Sequence, residues 1–182
     1  MGDGVASMRK GYIQIYTGNA KGKTTAALGL ALRAAGAGHT VFIAQFVKKR
    51  KCSEHKAFER FSDIITVKQF GTGFIKSGQQ SAISSQQKLT ARKGFEEVMA
   101  VIASKQFDMV ILDEINVATH YGLLSVEEVL ELLDAKPLNV ELVLTGRYAD
   151  ERIIEKADLV TEMKEIKHYF KKGVKARRGI EL

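Results

Sequence analysis

A glycine- and lysine-rich loop near the start of the sequence is the first place where its residues could do chemistry. The loop reads TGNAKGKTT, and Gly22, Lys23 and Thr24 form the core of a phosphate-binding loop, or P-loop. In such a loop, backbone N–H groups surround phosphate, the lysine reaches the outer phosphates and the threonine hydroxyl binds Mg²⁺. The strict spacing requires glycine at position 17, but this chain has Thr17 and then Gly18. We therefore predict a phosphate site whose loop is one residue shorter between its glycines. The predicted nucleotide-binding residues of the loop are Gly18, Asn19, Ala20, Lys21, Gly22, Lys23, Thr24 and Thr25.

A second acidic motif fits a metal-bound phosphate. The segment VILDE (Val110–Glu114) is an apolar strand that ends in two carboxylates, and a carboxylate at such a strand end reaches Mg²⁺ directly or through water. Asp113 and Glu114 cannot both fill the same role, and a solvated strand end is the alternative. The predicted metal ligands are Thr24, Asp113 and Glu114. Arg147, which follows another strand, is predicted to contact a phosphate or to brace a loop.

The elements that position these residues alternate between strand and helix. Strands are predicted at Gly11–Thr17, Thr40–Phe46, Ile64–Phe70, Asp108–Asp113 and Val140–Thr145, with a possible sixth at Leu159–Met163. Helices are predicted after the loop and at Gln86–Ala103, Ser125–Leu133 and Glu151–Lys156, and a short amphipathic segment is expected around Glu54–Phe61. Between residues 116 and 124 we expect an irregular or short helical connection. This order predicts an α/β fold of the P-loop NTPase (RecA-like) type. We expect a mainly parallel sheet of five to six strands with helices on both faces, and ligands at the carboxyl ends of the strands.

Size and composition are those of an ordinary globular domain. The chain has 182 residues, of which 45% are hydrophobic and 27% charged. We predict a flexible lead at residues 1–10 and one domain at residues 11–182. No apolar run approaches the length of a membrane span, and the first residues lack the apolar core of a signal peptide, so we expect a cytoplasmic location. The single cysteine, Cys52, excludes an internal disulfide and is predicted to be a surface thiol.

The net charge of +7 leaves the class of partner open. Much of the excess lies in two clusters, Lys48–Lys51 and the tail residues Lys167, Lys171, Lys172, Lys175, Arg177 and Arg178. Such clusters can bind nucleic acid, can be solvated faces, or can surround an anionic small substrate. The last interpretation is favoured, since both clusters follow predicted strands and contain few aromatic residues. The four histidines have no metal-ligand spacing, and no Ser-His-Asp or Cys-His arrangement is supported.

Several segments together resemble one family. These are TGNAKGKTTAALGLALRAAGAGH, AQFVK, a TGF within the glycine- and serine-rich stretch 71–85, VILDEINVATHYGLL, LTGRYADERIIEKADLVTEM and KHYFKKGVKARRGIEL. They are similar to the ATP:corrinoid adenosyltransferases that carry a P-loop, from about Gly11 to Leu182. The C-terminal pattern KH-x-F-x-x-G-x-x-A-x-x-GIE is the most specific element, since generic P-loop ATPases lack it.

The resemblance implies a reaction that a P-loop alone would not suggest. Such enzymes bind ATP, with Mg²⁺ or Mn²⁺, and a corrinoid whose cobalt is reduced to Co(I). The Co(I) attacks the 5′ carbon of ATP and expels triphosphate, so no protein nucleophile is needed. The residues predicted to be catalytic are Lys23, Thr24 and Glu114. The resemblance also implies a nucleotide that lies reversed in the site, a flavoprotein-type reductase and a homodimer, with no nucleic-acid or membrane partner.

The resemblance places corrinoid binding on the stretch after the third strand. Phe74 matches an aromatic residue thought to displace the lower axial ligand of cobalt. This chain departs from the family at Lys76, where some relatives have tryptophan, and at Ala20, where the loop usually has glycine. If position 20 required positive φ, Ala20 would cost about 1 kcal/mol or more. The sequence leaves open which corrinoid is preferred. It also leaves two other hypotheses, a RecA-like ATPase acting on nucleic acid and a small-molecule kinase.

Overall fold

The computed structural model describes residues 10–73 and 83–181. Nine of the ten residues of the predicted lead, together with Phe74 and Lys76, therefore lie outside the described residues. Six strands are present in the described ranges: β1 (Ile13–Thr17), β2 (Val41–Phe46), β3 (Ile65–Phe70), β4 (Met109–Asp113), β5 (Glu141–Thr145) and β6 (Leu159–Glu162). They form one sheet in the order β3-β2-β4-β5-β1-β6, and all five neighbouring pairs are parallel. The predicted parallel sheet is confirmed, including its sixth strand.

The helices alternate with these strands. They are α1 (Lys23–Gly36), α2 (Ser53–Phe58), α3 (Ser85–Ser104), α4 (Ile115–His120), α5 (Val126–Ala135) and α6 (Glu151–Lys156), with 3-10 turns at Glu59–Phe61 and Tyr169–Lys172. Side chains of Ser84 and Ser125 cap α3 and α5 by accepting hydrogen bonds from backbone N–H groups, as the serine at a helix start predicts. Among residues 10–73 and 83–181, no helix is long and apolar enough to cross a membrane.

Two apolar layers cover the two faces of the sheet. On one face α1 packs through small side chains, among them Ala27 and Ala31, against the side chains of Ile43, Ile111 and Val143. On the other face α3 to α6 pack on alternate residues of the same strands. Every residue of β2, β4 and β5 is buried, whereas β6 is an exposed edge strand. The helices on both faces that the alternating pattern predicts are thus confirmed.

Strand register brings the polar strand ends to one edge of the sheet. Gln45 of β2 lies opposite Asp113 of β4, and Tyr16 of β1 lies opposite Thr145 of β5. The P-loop begins immediately after Thr17, the last residue of β1. These polar residues therefore start from the carboxyl ends of adjacent parallel strands, where ligands bind in such sheets.

Candidate phosphate and metal site

Gly18 explains why the first glycine of the P-loop is displaced by one position. Its φ is +95°, and a Cβ built on it would lie 2.4 Å from the carbonyl oxygen of Met163. The end of β6 therefore lies against the loop at this residue, and the Met163 N–H donates to the Thr17 carbonyl at 2.8 Å. Glycine is required at position 18, while Thr17 is still part of the ordinary strand.

Lys23 closes the loop from inside. It begins α1 and is only 7% exposed. Its Nζ donates to the carbonyl oxygens of Gly18 at 2.7 Å and Ala20 at 2.6 Å. Burial lowers the pKa of Lys23, and the nearby positive charge of Arg147 lowers it further. A phosphate group entering the loop would offer this ammonium a negatively charged partner in place of two neutral carbonyls.

Ala20 does not carry the backbone strain that a positive φ at position 20 would cause. It is absent from the non-glycine residues with positive φ in the described chain, which are Val47, Lys105, Glu114 and Tyr148. Its N–H instead donates to the Met163 carbonyl at 2.9 Å. An alanine is accepted here because the backbone stays in a region open to all residues.

Asp113 is the centre of a hydrogen-bond network at the end of β4. Its carboxylate is completely buried. Four side chains donate to it, namely Thr24 Oγ1 at 2.7 Å, Thr145 Oγ1 at 2.7 Å, Lys48 Nζ at 2.8 Å and Gln45 Nε2 at 3.1 Å. Such a carboxylate is fixed in one orientation, and it holds the P-loop threonine at the end of the neighbouring strands.

The environment of Glu114 differs from that of Asp113, and this difference indicates different roles for the two carboxylates. Its backbone is left-handed, with φ of 63°, and its N–H donates to Thr145 Oγ1 at 3.0 Å. No described side chain donates a hydrogen bond to its carboxylate. Burial raises the pKa of Glu114, and the charge of Asp113 raises it further, while the cations of Lys48, Lys23 and Arg147 oppose this. The Glu114 carboxylate is therefore the one that is free to bind a ligand.

Lys48 lies beside Thr24 and Asp113, whereas the sequence favours only a general role for its basic cluster around an anionic substrate. Its Nζ donates to Thr24 Oγ1 at 3.0 Å as well as to Asp113. Burial by itself would lower the pKa of Lys48, but the charge and hydrogen bond of Asp113, with the charges of Glu114 and Glu54, outweigh burial and raise it. The other lysines of the cluster, Lys49 and Lys51, are exposed.

Arg147 and Lys21 brace the outside of the loop. The Arg147 guanidinium donates to the Asn19 carbonyl at 3.0 Å, which is the loop-bracing role among its two predicted roles. Lys21 Nζ donates to the Ile180 carbonyl at 2.8 Å and lies 3.7 Å from the Glu181 carboxylate. The C-terminal segment therefore contacts the P-loop directly, a contact that no spacing in the sequence indicates.

The oxygen atoms present fit a hard divalent cation. Mg²⁺ takes few protein ligands and keeps oxygens from phosphates and water. The Thr24 hydroxyl and the free Glu114 carboxylate are suited to it, with Asp113 orienting the hydroxyl. The Lys48 ammonium donates hydrogen bonds to oxygens of Thr24 and Asp113, which shows that these oxygens accept a cationic group. Among the described residues no three His, Cys, Asp or Glu side chains come together, so a cation here would also need oxygens from the nucleotide.

Four residues that complete the site were not identified from the sequence, namely Gln45, Lys48, Thr145 and Met163. Of these, Gln45 has a signal in the sequence, because it is a polar residue inside an otherwise apolar strand. Its side chain is held by His55, whose Nε2 lies 2.8 Å from Gln45 Oε1. This gives His55 a structural role, in keeping with the absence of metal-ligand spacing. Cys52 is partly exposed, and burial raises the pKa of its thiol.

Comparison with known proteins identifies the family of this chain. A family model described as ATP:corrinoid adenosyltransferase BtuR/CobO/CobP matches residues 9–182. A corrinoid adenosyltransferase from Sinorhizobium sp. is 39% identical over 94% of this chain and 80% of its own length. Those from Pseudomonas aeruginosa and Escherichia coli strain K12 are each 35% identical, over 94% and 97% of this chain and 84% and 88% of their own lengths.

Solved structures extend the comparison at the level of fold. A KaiC-like protein from Pyrococcus horikoshii OT3 aligns with a TM-score of 0.57 and 17% identity, covering 87% of this chain and 75% of its own. The flagellar accessory protein FlaH from Methanocaldococcus jannaschii aligns with a TM-score of 0.60 and 14% identity, covering 85% of this chain and 72% of its own. These likenesses confirm the RecA-like P-loop fold. Because the family model spans nearly the whole chain, this protein belongs to the ATP:corrinoid adenosyltransferases.

Proposed function

We propose that this protein transfers the 5′-deoxyadenosyl group of ATP to the Co(I) of a reduced corrinoid in adenosylcobalamin biosynthesis or salvage. An electron pair of Co(I) forms the Co–C bond to the 5′ carbon. The C5′–O bond breaks, and its electron pair leaves with inorganic triphosphate. The supporting observation is the convergence of Lys23, Thr24 and two carboxylates at one sheet edge, in a chain of this family.

The protein's part is to hold the triphosphate and to position the ribose. Lys23 would exchange the carbonyls of Gly18 and Ala20 for phosphate oxygens, and amides of residues 19–25 would supply further donors. Thr24 and Glu114 would hold Mg²⁺, or Mn²⁺ in its place. When bound, the metal ion would neutralise charge that develops on the leaving triphosphate. No side chain needs to act as a nucleophile or a general base.

The corrinoid side of the proposal depends on the resemblance. Phe74 is proposed to displace the lower axial ligand of cobalt, and Lys76 to form a corrinoid wall that differs from that of some relatives. A homodimer, a flavoprotein-type reductase and a cytoplasmic location also remain predictions. The alternative ATPase acting on nucleic acid is not favoured, since the family match covers residues 9–182.

The product distinguishes these hypotheses. We would incubate the protein with ATP, Mg²⁺ and chemically reduced cobalamin, follow the visible spectrum for the Co–C product and assay triphosphate. We expect both products in equal amounts. Release of ADP and phosphate without a Co–C product would refute the proposal and would support an ATPase or a kinase.

A matched pair of lysine variants localises the activity. Lys23→Ala should reduce turnover severely, by about a hundredfold or more, because a charged contact to the leaving group is lost. Lys93→Ala, which removes an exposed lysine of α3, should leave turnover unchanged. Equal activity of the two variants would contradict the role given to the P-loop.

A further inference from the structure

The Lys48 ammonium lies at the oxygens where the proposed metal ion would bind. Its Nζ lies 3.0 Å from Thr24 Oγ1 and 2.8 Å from Asp113 Oδ2, and its side chain is only 14% exposed. One partner is the hydroxyl predicted to bind the metal ion, and the other is the carboxylate that orients this hydroxyl. An ammonium and Mg²⁺ compete for such oxygens because both carry positive charge and use the same oxygen lone pairs, the ammonium by hydrogen bonds and the metal ion by coordination.

A strained turn aims Lys48 at these oxygens. The Lys48 N–H donates to the Phe46 carbonyl, two residues back, at 2.7 Å. The residue between them, Val47, has φ of 67°. This is the pattern of a γ-turn of the rare positive-φ kind, and a β-branched residue is strained in that region. Such strain persists only where the surrounding structure enforces it, and here it turns the chain sharply after β2.

The end of β3 holds the strained turn in place. Gly73 N–H donates to the Val47 carbonyl at 3.0 Å. A Cβ built on Gly71 would lie 2.1 Å from the Val47 carbonyl carbon, so the two backbones are in close contact there. The placement of Lys48 is therefore built into the backbone of two adjacent strand ends, and does not depend on a flexible surface side chain.

We propose that Lys48 is a positioning residue that reserves the metal site until the nucleotide arrives. In the nucleotide-free protein its ammonium holds Thr24 and Asp113 in place and excludes a free divalent cation. The metal ion then enters only as a complex with the triphosphate, whose charge compensates for displacing the ammonium. This inference rests on the metal site of the proposed function.

Removal of the ammonium distinguishes this role from that of a purely structural ion pair. Loss of a structural pair would only destabilise the fold, because a buried carboxylate would be left without its partner. Loss of a competing cation would also release two oxygens to which a free metal ion can bind. Metal binding by the nucleotide-free protein therefore separates the two roles.

The experiment measures Mn²⁺ binding and thermal unfolding without nucleotide or corrinoid. Lys48→Met removes the ammonium and keeps the apolar stem, whereas Lys49→Met changes the exposed neighbour. Wild type and Lys49→Met should bind Mn²⁺ weakly. Lys48→Met should bind it at least about tenfold more tightly, and Mn²⁺ should raise its Tm more than that of the other two proteins. Lys48→Gln provides a second test if Lys48→Met does not fold.

Equal Mn²⁺ affinity and equal Tm shifts in all of these proteins would overturn the proposal, as would tight Mn²⁺ binding by nucleotide-free wild type. The result is separable from the proposed function. If wild type forms no Co–C product but Lys48→Met gains Mn²⁺ affinity, the function fails and the role of Lys48 stands. If the product forms but the affinities are equal, only the role of Lys48 fails.

Discussion

Replacing Gly18 by alanine tests how the P-loop is built. The added Cβ would lie 2.4 Å from the carbonyl oxygen and 2.7 Å from the nitrogen of Met163. Both of these atoms belong to the backbone, so no side chain can rotate away to relieve the contact. The variant must therefore move either the loop or the end of β6.

The expected loss of stability has two parts. A non-glycine residue held at φ of +95° costs about 1 to 3 kcal/mol, and inserting a methyl group into a filled space typically costs about 1 to 3 kcal/mol. Because a backbone shift relieves part of the overlap, we expect Gly18→Ala to lower the free energy of unfolding by about 3 kcal/mol. The displaced loop should also bind ATP at least about tenfold more weakly.

Gly29 provides the matched control within α1. A Cβ built there has no atom within 4 Å, and its φ is not in the positive region. Gly29→Ala should raise the free energy of unfolding by about 0.4 to 1 kcal/mol, because alanine favours helix and restricts the unfolded chain. The same substitution should therefore change the free energy of unfolding in opposite directions at two positions eleven residues apart.

Urea unfolding and titration calorimetry with Mg-ATP give both quantities. The wild type, Gly18→Ala and Gly29→Ala would be compared under the same conditions. If Gly18→Ala stays within about 0.5 kcal/mol of wild type and binds ATP normally, the close approach of Met163 to the loop is wrong.

Three other predictions address the site and the tail. Thr145→Val should lower the free energy of unfolding by about 2 kcal/mol in urea, because the buried Asp113 carboxylate loses a donor. Hydrogen bonds from Arg177 lower the pKa of Glu181 to about 2, so the carboxyl ¹³C shift of Glu181 should not titrate between pH about 6 and 3. This contribution to stability is full above its unfolded pKa and is lost as pH falls through the folded value. Phe74→Ala should reduce turnover more with Co(II) and a reductant than with preformed Co(I).

Each of these has an outcome that would contradict it. Thr145→Ser keeps the hydroxyl, so an equal loss in the serine variant would show that packing matters instead. Arg177→Ala should bring the Glu181 titration back towards about 4.3, and a wild-type midpoint near that value would refute the pairing. Equal losses in the two assays of Phe74→Ala would argue against an axial-ligand role.

The fold could be predicted because its signals are local. Buried parallel strands are apolar runs of five or six residues, and serines mark the starts of α3 and α5. The P-loop motif and the VILDE segment identified most of the polar site for the same reason. Strand order was not predictable, since β1 is paired with two strands that lie more than a hundred residues away.

The residues that were missed depend on contacts between distant segments. Lys48 looked like its exposed neighbours, because nothing in KKRK indicates a strained turn at Val47. Met163 carried no polar signal, since it acts through its backbone. The unusual glycine spacing is visible in the sequence, but its cause lies in the approach of the end of β6 to Gly18. Such contacts are properties of the folded chain and have no short-range pattern in sequence.

The position of β1 in the sheet has a consequence for how the protein is made. Its two neighbours are β5 (Glu141–Thr145) and β6 (Leu159–Glu162), both from the last third of the chain. While the polypeptide emerges from the ribosome, the strand that carries the P-loop has no pairing partner until most of the sequence has been synthesised. Closing such a long loop is slow, so the exposed apolar strand must remain unaggregated meanwhile. We therefore expect the nucleotide site to form only after β5 and β6 have been synthesised.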